Sequence, residues 1–205
     1  AVTSDDLAKY LDEAVKEDKR MLPSNCQMRD IINSWSKQSG YPLISVSLSN
    51  DNKLKLTQSK FSYNTDTKSI NNTWIVPISI GMAKKDISQF DDTTPLAWMT
   101  SNELTLESRK DLNWNEYDWL ILNKQQIGFY RVNYDKKLWK LIMKKLDSDT
   151  FEQIHYMNRA QLIDDIFSLA RVGKVAYSNA FKLILYLKQE NHITPWLSFG
   201  NKLGM

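Results

Sequence analysis

The hydrophobic period of this 205-residue chain changes twice, from about 3.6 to 2 near Tyr41 and back to about 3.6 after Asp135. A helix cannot present a period-2 pattern to a core, and a strand cannot present a 3.6-period one. The chain is therefore built in stretches of different kind. The expectation is an α+β multidomain fragment: a short helical segment over 1–40, a small antiparallel β-sandwich over 41–134, and the start of an α-helical, solenoid-like domain over 135–205.

Residues 3–35 predict two helices. Thr3 and Asp6 stand at capping-box spacing ahead of Leu7, Tyr10, Leu11, Ala14 and Val15 at helical intervals. Ser24 with Gln27 repeats the device, and Met28, Ile31, Ile32 and Trp35 form one apolar stripe. Gly40 and Pro42 stop the second helix and start an extended chain. Too short to fold alone, the pair must dock on the strands or on something absent.

From Tyr41, Ile44, Val46 and Leu48 alternate with serines, Asn50-Asp51-Asn52 supplies turn chemistry, and Leu54 and Leu56 alternate with Lys53, Lys55 and Thr57. That pattern predicts a hairpin with one wet face. Further strands are expected at 61–63, 74–80, 103–106, 119–122 and 128–134, with polar loops over 64–72 and 84–94. In the last strand Phe129, Arg131 and Asn133 point one way while Tyr130, Val132 and Tyr134 point the other; Gly128 marks a bulge or a close backbone approach. Short strands separated by turns argue a small sandwich.

Beyond Asp135, Leu138, Leu141, Ile142 and Leu146 line one helix face. Lys136, Lys137, Lys140, Lys144 and Lys145 cover the other, which reads as a solvated face in preference to one meeting anionic lipid or glycan. In the next helix Asn158 is the expected N-cap, Gln161 completes a capping box, Met157 and Leu162 form a staple, and Gly173 lies past the end. Ser178 is expected to cap a third helix with Phe181, Ile184, Leu185 and Leu187 apolar. Thr194-Pro195 opens a fourth with Pro at its first position. Short helices with tight turns suggest a solenoid's beginning.

A net charge of +3 leaves no basic footprint for nucleic acid, which is excluded as a partner. Cys26 is the only cysteine, so neither an internal disulfide nor a cysteine zinc cluster can form. No run of about eighteen apolar residues is present. The chain opens at Ala1 without an initiator methionine and stops abruptly, which suggests a piece of something longer. Asn71-Asn72-Thr73 is a glycosylation acceptor pattern, making Asn71 the candidate site.

Six ordered segments carry a resemblance that covers nearly the whole chain. Trp35-Ser36-Lys37-Gln38-Ser39-Gly40-Tyr41-Pro42 resembles a Trp-x-x-Gln-x-Gly-Tyr-Pro signature. Gln58-Ser59-Lys60-Phe61, Trp74-Ile75-Val76-Pro77 and Trp119-Leu120-Ile121-Leu122-Asn123 follow in order. Gly128-Phe129-Tyr130-Arg131-Val132-Asn133-Tyr134-Asp135 and Asn158-Arg159-Ala160-Gln161-Leu162-Ile163-Asp164-Asp165 complete the set. Together they resemble the zinc aminopeptidase N family, the gluzincin aminopeptidases, and are closest in flavour to insect midgut aminopeptidase N. The resemblance implies that residues 1–40 are the last helices of a thermolysin-like catalytic domain, 41–134 its β-sandwich neighbour, and 135–205 the first helices of the C-terminal domain. It further implies a parent that uses zinc to remove N-terminal residues from peptide substrates. Such relatives are commonly glycosylated and membrane-anchored at the extracellular face of the plasma membrane, and the anchor is expected outside this stretch.

That chemistry needs H-E-x-x-H on a helix, a further glutamate ligand and a Gly-x-Met-Glu-Asn loop for the substrate amine. None of these motifs is present, so no catalytic residue and no metal ligand is expected here; zinc is expected in the parent and none on this segment. His155 and His192 read as structural or solvated. The adjacent pairs Asp164-Asp165 and Asp91-Asp92 point to different faces and read as solvated. Neither a phosphate-binding glycine loop nor a G-x-S-x-G elbow occurs. The expected role is a non-catalytic scaffold. Two alternatives stand beside it: a surface receptor module that a bacterial toxin could dock on through the 64–72 loop, and the scaffold of a catalytically inactive relative.

Overall fold

The computed structural model describes residues 3–18, 22–64, 72–84, 87–88, 90–110 and 112–204. Helix α1 (Ser4–Glu17) opens on the expected capping box: Thr3 Oγ1 accepts from Asp6 N and Thr3 N donates to the Asp6 carboxylate at 2.8 Å. Helix α2 (Met28–Ser36) starts three residues later than its cap signal implied. Gln27, not Ser24, takes the cap position, its N–H donating to Asp30 at 2.8 Å, while Met28 N donates to Asp12 of α1 at 2.9 Å. α2 then docks on the strand region, with Trp35 Nε1 donating to Ile75 O and Gln38 Nε2 to Thr73 O. On α1, Ala8 is buried but Leu7 and Tyr10 stay exposed, so its apolar stripe is only partly covered.

The strands are β1 (Pro42–Leu48), β2 (Leu54–Lys60), β3 (Val76–Ile78), β4 (Ile80–Lys84), β5 (Ile87–Ser88), β6 (Ala97–Met99), β7 (Glu103–Leu106), β8 (Trp119–Leu122) and β9 (Arg131–Tyr134). They form sheets ordered β7-β2-β1-β9, β3-β6 and β5-β4-β8. The β1–β2 hairpin closes with Leu48 opposite Leu54 around Asn52, whose φ of 60° is the left-handed value asparagine tolerates. Every described pairing is antiparallel except β1 with β9, which run parallel from Leu43 opposite Arg131 to Val46 opposite Tyr134.

Two strand expectations change. Residues 74–80 split at Ser79, so that β3 pairs with β6 and β4 pairs with β8: one segment turns a corner between sheets. Residues 61–63 form no strand; Phe61 N bonds Tyr41 O at 2.9 Å and the chain then leaves the sheet. Strands β5 and β6 lie where no strand was expected, β5 within the stretch read as a polar loop over 84–94.

The helices that follow are α3 (Lys136–Leu146), α4 (Tyr156–Arg171), α5 (Tyr177–Leu183) and α6 (Ile193–Leu203). α3 lays Leu138, Trp139, Ile142 and Leu146 against the sheets, and α4 is buried on nearly every side. One hydrophobic cluster therefore runs unbroken from Leu43 in β1 to Leu187 beyond α5, with Trp74, Trp114 and Trp119 fully enclosed. α5 begins after Ala176 and buries Ala180 and Leu183, and the 3-10 turn over Ile184–Gln189 that follows buries Tyr186 and the expected Leu187, while Phe181 and Leu185 face out.

Candidate functional site

Strand β9 sets Arg131 beside Leu43, two residues past Tyr41, so the guanidinium lies over the aromatic pair that opens β1 and follows β2. Its centre is 5.0 Å from the Phe61 ring and 5.8 Å from the Tyr41 ring, and Nε donates to Tyr41 Oη at 3.2 Å. From the other side α4 brings Asp164 and Asp165. Arg131 Nη1 donates to Asp165 Oδ1 at 2.9 Å and also to Asp164 Oδ2. The second Asp165 oxygen accepts Val132 N at 3.0 Å and Gln161 Nε2 at 3.4 Å. Asp164 Oδ1 in turn pairs with Lys202 of α6, whose ammonium also reaches Ser168 Oγ at 3.0 Å. Tyr63 Oη donates to the same Ser168, and the Tyr63 ring lies under the Arg171 guanidinium, 4.7 Å from its centre.

Asp165 is therefore not solvated, and Asp164, its side chain 31% exposed, is held by Arg131 and Lys202 on the rim of the same cluster. Adjacent positions on a helix do diverge by about 100°, but Arg131 enters between them and both carboxylates turn onto it. Asp165 is almost fully enclosed. Burial pushes its carboxyl up to about 7 against the pull of Arg131. Burial also acts to raise Asp164, yet Lys202 and Arg131 outweigh it and hold that carboxyl below the ordinary range. Arg131 itself gains proton affinity: burial lowers it, and the two aspartates more than compensate. Each group already has its partners, so the arrangement is fitted to clamping elements together and leaves no base facing open space.

A second node lies behind the first. Asn158, expected as an N-cap, sits inside α4, wholly buried. Its Oδ1 accepts Gln125 N at 2.7 Å and its Nδ2 donates to Asn123 O at 2.8 Å and to Gln161 Oε1 at 2.9 Å. It thus holds a loop in which Asn123, Gln125 and Gln126 all have φ between 54° and 66°. Asn123 clasps the same loop, accepting Gly128 N at 2.7 Å and donating to Gly128 O at 2.8 Å. Gly128 is the close approach its position implied, since an added Cβ would stand 2.3 Å from the Tyr130 ring.

The N-cap of α4 is His155, whose Nδ1 accepts Met157 N at 3.3 Å. The N-cap of α6 is His192, whose Nδ1 accepts Thr194 N at 3.2 Å and which moves Pro195 to the third helical position. The two imidazoles stack on Tyr156, with ring centroids 4.3 Å and 3.8 Å away. Burial, then the positive Arg159, holds His155 below the usual imidazole range. Arg159 is itself buried, bidentate to Glu190 at 2.6 and 2.8 Å.

Neither histidine has a lone pair at Nδ1 left for a metal. Among the described residues no three His, Cys, Asp or Glu side chains converge, so these residues do not fit a zinc ion. Asp91 and Asp92 are exposed, and the glycosylation candidate Asn71 lies outside the described residues. What sequence reasoning missed is Arg131 as a centre and Asn158 as a loop clasp. A signal existed: a helix apolar on most sides that also carries Asp164-Asp165 must find a cation on a neighbouring element.

A family model described as "ERAP1-like C-terminal domain" matches residues 119–204. Aminopeptidase N of Plutella xylostella is 42% identical over 168 residues, 81% of this chain and 17% of that protein. Membrane alanyl aminopeptidase of Manduca sexta is 34% identical over 194 residues, 94% of this chain and 19% of that protein. Aminopeptidase N of Homo sapiens is 34% identical over 91% of this chain and 18% of its own length. The chain thus spans under a fifth of the length of these curated relatives.

Proposed function

Because the chain belongs to the aminopeptidase N family, we propose that it is the non-catalytic middle of a zinc-dependent aminopeptidase. Its role is to join the catalytic domain, ending within residues 1–40, to the α-helical C-terminal domain that starts after Tyr134. In this reading the parent removes N-terminal residues from peptides, and its zinc is held by residues outside these 205. The parent sits at the cell surface, as the word "membrane" in the name of the Manduca sexta relative suggests, with Asn71 as a glycan site.

The observation that supports the scaffold role is convergence. Tyr41 of the first signature, Phe61 of the second, Arg131 of the fifth and Asp164-Asp165 of the sixth meet at one ion pair between sheet and helices. The motif residues are thus engaged in holding elements in register. The polar loop that motivates docking of an external protein such as a toxin lies mostly outside the described residues, so nothing favours that reading over the scaffold.

The test is direct. The purified 205-residue chain, incubated with L-alanine p-nitroanilide and zinc, is expected to release no nitroaniline above the blank. Zinc-dependent turnover by this chain would overturn the assignment.

A further inference from the structure

Helix α3 carries five lysines and no acid between Lys136 and Leu146. Its inner face is committed, since Leu138, Trp139, Ile142 and Leu146 are buried. At about 100° per residue, Lys137, Lys140 and Lys144 fall within about 60° of arc opposite that face, with Lys136 at its margin. The row is about 12 Å long from Lys136 to Lys144. Lys136, Lys137, Lys140 and Lys144 are exposed. Among the described residues Lys136, Lys140 and Lys144 form no ion pair; Lys137 reaches only the neutral Asn115 side chain, at 3.4 Å. Asp135, next to the row, is occupied as the N-cap, accepting Leu138 N and Leu48 N. Asp147 at the far end faces Lys188.

This arrangement runs against helix stability. Lys136 with Lys140, Lys137 with Lys140, and Lys140 with Lys144 are like charges at the spacings where such pairs repel. Lys136 and Lys137 also occupy the first turn, where the helix dipole disfavours cations. The Asp135 cap, the favourably placed last-turn Lys144 and Lys145 and the buried stripe hold the helix together, and the outer row of like charges is left open to an anionic ligand.

We propose that the outer face of α3 binds a linear sulfated polysaccharide. A polyanion that runs along the helix meets four ammonium groups in one row. A bilayer suits the face less well, because surface-binding helices pair lysines with apolar side chains that insert, and α3 exposes no large hydrophobic residue. Nucleic acid lacks the wider basic footprint it needs on a chain of net charge +3. The choice of sulfated glycan rests on the cell-surface reading of the parent, while the binding itself is measured without reference to peptidase activity.

The probe is a size-defined heparin oligosaccharide, offered to the full chain at low salt. The triple variant Lys137→Gln, Lys140→Gln, Lys144→Gln keeps good helix formers and is expected to lose about tenfold in affinity, with a salt-dependence slope lower by about 2 to 3. The triple Lys9→Gln, Lys16→Gln, Lys55→Gln makes the same charge change at exposed sites elsewhere and is expected to stay within about twofold of the parent chain. Thermal melts of both variants check that each remains folded. Equal losses in the two triples, no loss in the first, or tighter binding to phosphatidylserine vesicles or a DNA duplex than to heparin would each overturn the proposal.

Discussion

Asn158 concentrates several demands in one amide. It satisfies the backbone of a loop in which three non-glycine residues are left-handed, a conformation that persists only where surroundings over-determine it. Replacing it with alanine orphans Gln125 N–H and the buried Gln161 Oε1 and leaves Asn123 C=O with Gln126 N as its remaining donor. We expect Asn158→Ala to lower stability by about 2–4 kcal/mol in urea unfolding of the 205-residue chain; a loss under about 1 kcal/mol would show that water or a relaxed loop replaces the clasp. The residue was visible in the sequence, but its role was not. Asn158 and Gln161 match a local capping code and do bond each other, but the bonds that fix the loop run to Asn123 and Gln125, and no local pattern specifies a bond across thirty-odd residues.

Elements whose signal is local came out close to their reading. The β1–β2 hairpin and α3 follow from period and turn chemistry, because each buries one continuous stripe. Periodicity runs β3 and β4 together because nothing local announces that Ser79 must turn a corner; its carbonyl and hydroxyl are taken by Asn123 N and Lys124 N. β6 carries no such signal, since Ala97 and Trp98 are only half-buried and show no alternation. The helix starts at His155 and His192 escaped because imidazole is an unusual cap, and it works only when Nδ1 is unprotonated. This gives a pH dependence of definite sign. The folded state holds His155 below its ordinary value of 6.5, so its contribution is present above about 6.5 and lost as pH falls through the depressed folded value. Asp165 acts oppositely: with its folded value raised to about 7, its contribution is present below 3.8 and lost as pH rises through 7. Comparing wild type with His155→Asn, a non-titrating cap, cancels the aspartate. The variant is expected to lose less stability than wild type between pH 7.5 and about 5, read from urea midpoints at each pH. Parallel pH profiles would remove His155 from this account.

At the scale of the whole molecule, sheet and helices share a core and are pinned by Arg131. Truncating that side chain leaves Asp165 buried with no counter-charge, which in comparable pairs costs about 3–5 kcal/mol, a loss to be read well above pH 7, since at lower pH the carboxyl takes a proton instead. Arg131→Met should show such a loss, and adding Asp165→Asn should restore part of it, giving a coupling energy above about 1 kcal/mol in a double-mutant cycle. Additivity within about 0.5 kcal/mol would mean the pair is incidental. The sole parallel pairing among the described residues adds something that energies alone do not describe. The polypeptide enters β1 at Pro42 from the preceding helices and leaves β9 at Tyr134 toward α3. Tension applied between the flanking helical parts would therefore pull the two strands lengthwise past each other. The evenly spaced bonds of a parallel ladder would then share the load together instead of parting one by one, so this junction is built to resist stretching along the chain as well as thermal loosening.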